Sequence, residues 1–152
     1  MMSTAIGDPS LHKGSQVNSR VVGHPFMQID RIDHFVLTVR DILATCDFYE
    51  RALGMEREVF GEGRIALTFG SQKINLHEAG NELEPCAEHP TPGGGDFCLI
   101  TTTPIDDVVR HLKNVGVEIE LMPSPRTGAT GPITSVYFRD PDQNLVEIST
   151  YD

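Results

Sequence analysis

The chain contains no tryptophan and only three cysteines, Cys46, Cys86 and Cys98, with no Cys-x-x-Cys pair among them. An odd, unpatterned set of thiols excludes the disulfide framework of small secreted domains and suits a reducing, cytoplasmic setting. Cations are also scarce: 12 Lys and Arg stand against 22 Asp and Glu, a formal net charge of −10. That balance excludes nucleic acids and anionic membrane surfaces as partners, because each phosphate contact needs a positive side chain. No apolar run approaches the roughly 20 residues of a membrane-spanning helix, so a soluble protein is expected. The first 27 residues lack a hydrophobic period and the apolar core of a secretory signal. They read as a flexible tail in which His12 and His24 are solvated, and residues 28–152 read as one domain.

What is present is a repeat. HFVLTVRDILATCDFYERALGM begins at His34, and DFCLITTTPIDDVVRHLKNVGV begins at Asp96. Each reads as a short strand, a turn, an amphipathic helix and a glycine, and the spacing from His34 to Gly54 equals that from Asp96 to Gly116. In the first helix Ile42, Cys46, Tyr49 and Leu53 recur at helical spacing, with Asp41 as N-cap and Gly54 just past the end. In the second, Ile105, Val108, Leu112 and Val115 form the stripe, Thr103 is the expected cap and Pro104 the first helical residue. Three strand-like segments follow each helix: 59–60, 65–69 and 73–77, then 119–121, 135–138 and 145–149. Turn chemistry separates them, including RDPDQN at 139–144, and a Glu-, Pro- and Gly-rich stretch links the halves. The order is βαβββ, twice.

Strand alternation then sorts the polar residues. Phe35, Leu37 and Val39 share the face a helix would cover, which turns His34 the other way. By the same parity Asn75 and His77 oppose Ile74 and Leu76, Asp96 opposes Phe97, and Glu147 opposes Val146 and Ile148. Two sheets curled towards each other would gather His34, Asn75, His77, Asp96 and Glu147 in one cleft. Ionisable groups are costly to bury unpaired, so such convergence suggests a shared cation or substrate. Glu78 falls on the covered face or beyond the strand and is not expected to ligate. Taken singly, each residue also has a plain structural reading: His34 as a hydrogen-bonded edge residue, Asp96 as a turn cap after GGG, Glu147 as a solvent-facing strand residue.

Across residues 29–151, the runs FGSQKINLHEAG, HPTPGGGDFCLIT and PRTGATGPITSVYFRDPDQNLVEIS carry a wider likeness. The chain resembles the vicinal-oxygen-chelate superfamily of glyoxalases, bleomycin-resistance proteins and dioxygenases, and within it the glyoxalase domain-containing protein 5 subgroup. The resemblance implies an α+β fold of two tandem βαβββ modules, 29–79 and 95–151 with an 80–94 linker, forming a curled mixed sheet with an open metal and substrate cavity. It implies a divalent metal held by His34, Asp96 and Glu147, with His77 as fourth ligand or general base. Two carboxylates and an imidazole lean towards Mn²⁺ or Fe²⁺, with Zn²⁺, Ni²⁺ and Co²⁺ open. Asn75 stands where glyoxalase I has a carboxylate; asparagine cannot be a base, so that isomerisation is not implied.

Arg126, in the glycine-rich loop PRTGATG with Gly128 and Gly131, is a candidate clamp for a substrate carboxylate or phosphonate, against the plainer reading of a surface arginine. Tyr137 alternates with Val136 and Phe138, so it is a candidate hydrogen-bond donor in the cleft or a packing residue. The RDPD run is read as turn chemistry, and His89 and His111 as structural or solvated. The leading expectation is a metal-dependent lyase, isomerase or transferase acting on a small oxygenated substrate, as a homodimer. An Fe²⁺ extradiol dioxygenase and a metal-free binding protein are the alternatives.

Overall fold

A computed structural model describes residues 27–151 of the chain. Arg31–Asp152 forms one compact unit. The tail reading, with His12 and His24, falls outside the described residues. The compact unit runs β1 (His34–Val39), α1 (Ile42–Leu53), β2 (Glu56–Phe60), β3 (Arg64–Phe69) and β4 (Gln72–Glu78). It continues with β5 (Asp96–Ile100), α2 (Ile105–Asn114), β6 (Ile119–Thr127), β7 (Pro132–Arg139) and β8 (Leu145–Tyr151).

The strands form two four-stranded sheets, ordered β1-β4-β3-β2 and β5-β8-β7-β6. In both, the first strand of the module lies parallel to its fourth, while the remaining pairs are antiparallel. A parallel pair needs a crossover, and the helix after each first strand supplies it. The fold is therefore the expected glyoxalase-like α+β arrangement of two tandem βαβββ modules. Among the described residues no helix is long and apolar enough to cross a membrane.

Local signals explain most element ends. Asp41 caps α1 by accepting from the Ala44 amide at 2.9 Å, and Gly54 closes it in a left-handed conformation at φ 65°. The second helix departs from expectation. Pro104 occupies the N-cap itself, no side chain caps the helix, and Thr103 lies outside it. Asp106 and Asp107 in the first turn supply the negative charge that the N-terminal dipole favours. The sixth strand is longer than expected: it continues through Pro123 and Pro125 to Thr127, with register shifts between Ile119, Leu121 and Ser124. An edge strand with bulges tolerates proline because its missing amide bonds face outward. Arg126 consequently sits in a strand opposite Ile133, not in a loop.

Alternation makes one face of each sheet apolar, and both apolar faces contribute to a single core with the two helices. Leu37, Val39, Leu67, Ile74 and Leu76 come from the first sheet, Val136, Phe138, Val146 and Ile148 from the second. Cys46, Tyr49 and Ala52 of α1 and Leu112 of α2 complete it. The helices also touch directly, through His111 Nε2 and the Ala52 carbonyl at 3.0 Å, which gives His111 the structural role expected of it.

The core has a polar seam between the modules. Tyr49 is fully buried, and its hydroxyl donates to Asp140 Oδ2 at 3.0 Å, from α1 across to the β7–β8 turn. Burial, and then the negative charge of Asp140, hold the Tyr49 phenol protonated far above its ordinary value of 10.0. Above pH 10 the unfolded phenol loses its proton while the native one keeps it. Stability is therefore present in full below that pH and falls as pH rises beyond it. Tyr49→Phe is expected to cost about 2 kcal/mol at neutral pH, the worth of a hydrogen bond to a charged group. Its urea midpoint should then decline less steeply above pH 10 than that of the wild type. A wild-type midpoint flat across that range would contradict this account.

Candidate functional site

The faces turned away from the core carry the predicted polar residues. On the first sheet, His34 opens β1 and is exposed; its Nδ1 lies 2.8 Å from Asp33 Oδ1. In the parallel register Val36 faces Asn75 and Thr38 faces His77. Asn75 and His77 are half-buried, and two of their atoms, Asn75 Oδ1 and His77 Nδ1, are enclosed without any hydrogen-bond partner in the protein. A polar atom in that condition is costly unless a ligand or water meets it. His77 lines a cavity of about 210 Å³ between this face and the linker, together with Thr38, Cys86, His89, Thr91 and Asn144.

The second sheet carries the other group. Asp96 is exposed at the start of β5, and Glu147 of β8 faces Cys98 on one side and Tyr137 on the other. The register gives the module equivalences directly, since Val36 faces Asn75 as Cys98 faces Glu147. Glu147 Oε1 accepts from Ser149 Oγ at 3.2 Å, and Ser149 Oγ lies 2.7 Å from Ser135 Oγ and 3.2 Å from Cys98 Sγ. Burial pushes the Cys98 thiol up from its ordinary range, which keeps it a thiol rather than a thiolate nucleophile. Tyr137 takes a hydrogen bond from Arg126 Nε at 3.1 Å, and the guanidinium lies 5.4 Å from the ring centre. Burial, then the hydrogen bond to Glu147, raise the Tyr137 phenol, so it stays protonated at neutral pH.

Parity thus placed each residue on the side where it is found, but not in one cluster. Among the described residues no three His, Cys, Asp or Glu side chains stand close enough to hold one ion. The convergence expected of His34, Asp96, Glu147 and His77 is absent within the chain. The two open faces meet only in part: Val36 and Lys73 share a cavity of about 480 Å³ with Asp96 and Cys98, whereas His77 lines a different one with the linker. By this test the donors of a single chain do not fit a divalent ion.

Sequence reasoning missed two features. The Cys98–Ser149–Ser135 contacts were signalled by parity, since Cys98 and Ser149 fall on the faces of Asp96 and Glu147. The RDPD run was read as turn chemistry, yet Asp140 and Asp142 are buried and join the modules. Only tertiary contacts could show that.

Comparison with known proteins agrees with this architecture. Residues 31–148 match the family model described as the Glyoxalase/Bleomycin resistance protein/Dioxygenase superfamily. Virulence protein STM3117 of Salmonella typhimurium is 57% identical over 125 residues, covering 82% of this chain and 87% of that protein. Its crystal structure superposes with a TM-score of 0.82, covering 83% of this chain and 100% of the other. Glyoxalase domain-containing protein RDO1 of Mycosarcoma maydis is 50% identical over 125 residues, 82% of this chain and 70% of that protein. Lactoylglutathione lyase from Agrobacterium tumefaciens, 23% identical with a TM-score of 0.63 over 81% of this chain and 95% of the other, shares the fold. With its paired βαβββ sheets, its polar open faces and a family match over nearly all the described residues, this chain belongs to the glyoxalase/bleomycin resistance protein/dioxygenase superfamily.

Proposed function

We propose that this protein is an enzyme of the lyase, isomerase or transferase type for a small oxygenated substrate, working as a homodimer. The finer likeness to glyoxalase domain-containing protein 5 and a cytoplasmic setting, which its three free thiols suit, belong to the same reading. One observation carries it: the polar groups of the two modules lie on different sheets that share one core, so a chain presents two incomplete halves of a site. A second copy supplies what each half lacks, His34 and His77 from one chain meeting Asp96 and Glu147 from the other. No reaction step is routed through a metal ion.

The chain's own groups have definite parts. Arg126, held against Tyr137, keeps guanidinium N–H groups for a substrate carboxylate or phosphonate. Tyr137, protonated, bonded to Arg126 and paired across the sheet with Glu147, is the hydrogen-bond donor of the site. Glu147 accepts from Ser149 and faces the open side, where it can take a proton from a substrate hydroxyl or activated carbon. His77, with its unpaired Nδ1 and its place in the cavity wall, is the second proton-transfer group.

The test is complementation read by metal analysis and thermal unfolding. An ion that binds only the native protein at ~100 times its dissociation constant adds about 2.7 kcal/mol. His34→Ala and Glu147→Ala should each abolish that gain. Mixing the two variants should restore part of it, because a dimer of one with the other contains one intact set. If the mixture binds no more than its parents, the shared site is wrong. If no divalent ion stabilises the wild type, a metal-free binding protein is the better reading, and the lack of any three-donor group among the described residues favours it.

A further inference from the structure

The open face of the first sheet carries a feature that the metal set does not use. Phe60, at the end of β2, carries two cations against its ring: Lys73 Nζ lies 3.6 Å from its ring centre and the Arg64 guanidinium carbon 4.5 Å. The two positive heads are therefore no farther apart than those distances together. Their seats are specific. A Cβ added at Gly61 would stand 3.0 Å from Arg64 Nη2, so the guanidinium rests where that glycine leaves room. Lys73, Asn75 and His77 occupy alternate positions of β4 and so point to one face; Arg64 and His77 line one cavity with Glu62 and Glu78, and Lys73 lines another with Asp33 and Asp96.

Charge makes the arrangement informative. The protein carries ten more acids than bases, yet among the described residues neither Lys73 nor Arg64 forms an ion pair. Lys73 acts on exposed Asp33 through space, without an ion-pair contact. Two like charges gathered on one ring in an acidic protein form a ready-made seat for an anion, and the ring fixes them at little further entropic cost. Beside them Asn75 Oδ1 and His77 Nδ1 have no partner. An acceptor and an imidazole nitrogen without partners on the same face match a hydroxyl adjacent to the anionic group.

We infer that Lys73 and Arg64, held on Phe60, form an oxyanion-binding subsite that grips the charged end of a small oxygenated molecule, with Asn75 Oδ1 accepting from a neighbouring hydroxyl. The inference rests on the small-molecule reading above but requires neither a second copy nor an ion. Glu147→Ala, lying on the other sheet, removes the metal-dependent gain and leaves this subsite intact, which keeps the two claims apart.

The test is isothermal titration of the full chain with inorganic phosphate and with glycolate, against sodium chloride of equal ionic strength. The two probes distinguish a phosphoryl from a carboxylate ligand. At least one should bind in excess of chloride, and Lys73→Met and Arg64→Met should each weaken it about tenfold. Lys73→Arg and Arg64→Lys should recover most of the loss, and Asn75→Ala should weaken glycolate more than phosphate. Neither probe binding above chloride would overturn the inference. So would methionine variants that bind as well as the wild type, or losses that the conservative variants fail to recover.

Discussion

Asp140→Ala is expected to lower the stability of the protein by about 4 kcal/mol, read as a large drop in the urea midpoint at unchanged slope. The reason is the number of donors that one buried carboxylate satisfies. Asp140 Oδ1 accepts from the backbone amides of Asp142 and Asn144, both at 2.9 Å. Its Oδ2 accepts from Tyr49 Oη at 3.0 Å and Asn144 Nδ2 at 2.8 Å. Each donor left unpaired in the interior costs about 1–3 kcal/mol. Asp140→Asn should fall between the wild type and the alanine variant, since one oxygen can keep the backbone pair while the new amide confronts two donors. An alanine variant as stable as a surface substitution would show that the seam contributes nothing.

Gly93→Ala is expected to cost about 3 kcal/mol, and Gly94→Ala, one residue on, clearly less. Gly93 adopts φ 80°, where a β-carbon costs roughly 1–2 kcal/mol, and that carbon would stand 2.7 Å from the Asp142 carbonyl oxygen. Backbone cannot move aside as a flexible side chain can, so overpacking adds about 1–3 kcal/mol. Gly94 has no such φ, and its added carbon would meet only Thr91 O at 3.3 Å. Thermal unfolding of the two variants side by side checks this. Equal losses would mean that the linker near Gly93 relaxes freely and is not seated on the 140–144 turn.

Both predictions concern a place where sequence reading and structure part company. As a run of letters, RDPDQN is a turn, and the linker before it is rich in Pro and Gly. In the fold the two are pressed together and tied to the first module. Asp142 accepts from the Arg40 amide at 3.1 Å and from Arg40 Nη1 at 2.9 Å, and Asn144 Oδ1 accepts from the Gly95 amide at 2.7 Å. Nothing local distinguishes a turn acid in water from one that receives a tyrosine 91 positions away.

The repeat was legible because it is local. Helical spacing marked α1 and α2, and matched offsets between His34–Gly54 and Asp96–Gly116 fixed the modular order. Period-two alternation assigned Tyr137 and Glu147, and likewise His77 and Asn75, to the faces away from the core. Alternation fixes only which side of its own sheet a residue faces. Lys73 shares a face with Asn75 and His77 by the same rule, yet its meeting with Phe60 and Arg64 depends on how the first sheet bends. Whether particular residues meet depends on how the sheets are placed: where β1 approaches β5, Val36 and Lys73 share a cavity with Asp96 and Cys98, while His77 lines another with the linker. The sequence by itself therefore determined the modules, their order and the facing of each polar residue. The tertiary structure decided that those residues stand on separate sheets of one chain, because the apolar faces claimed the interior first.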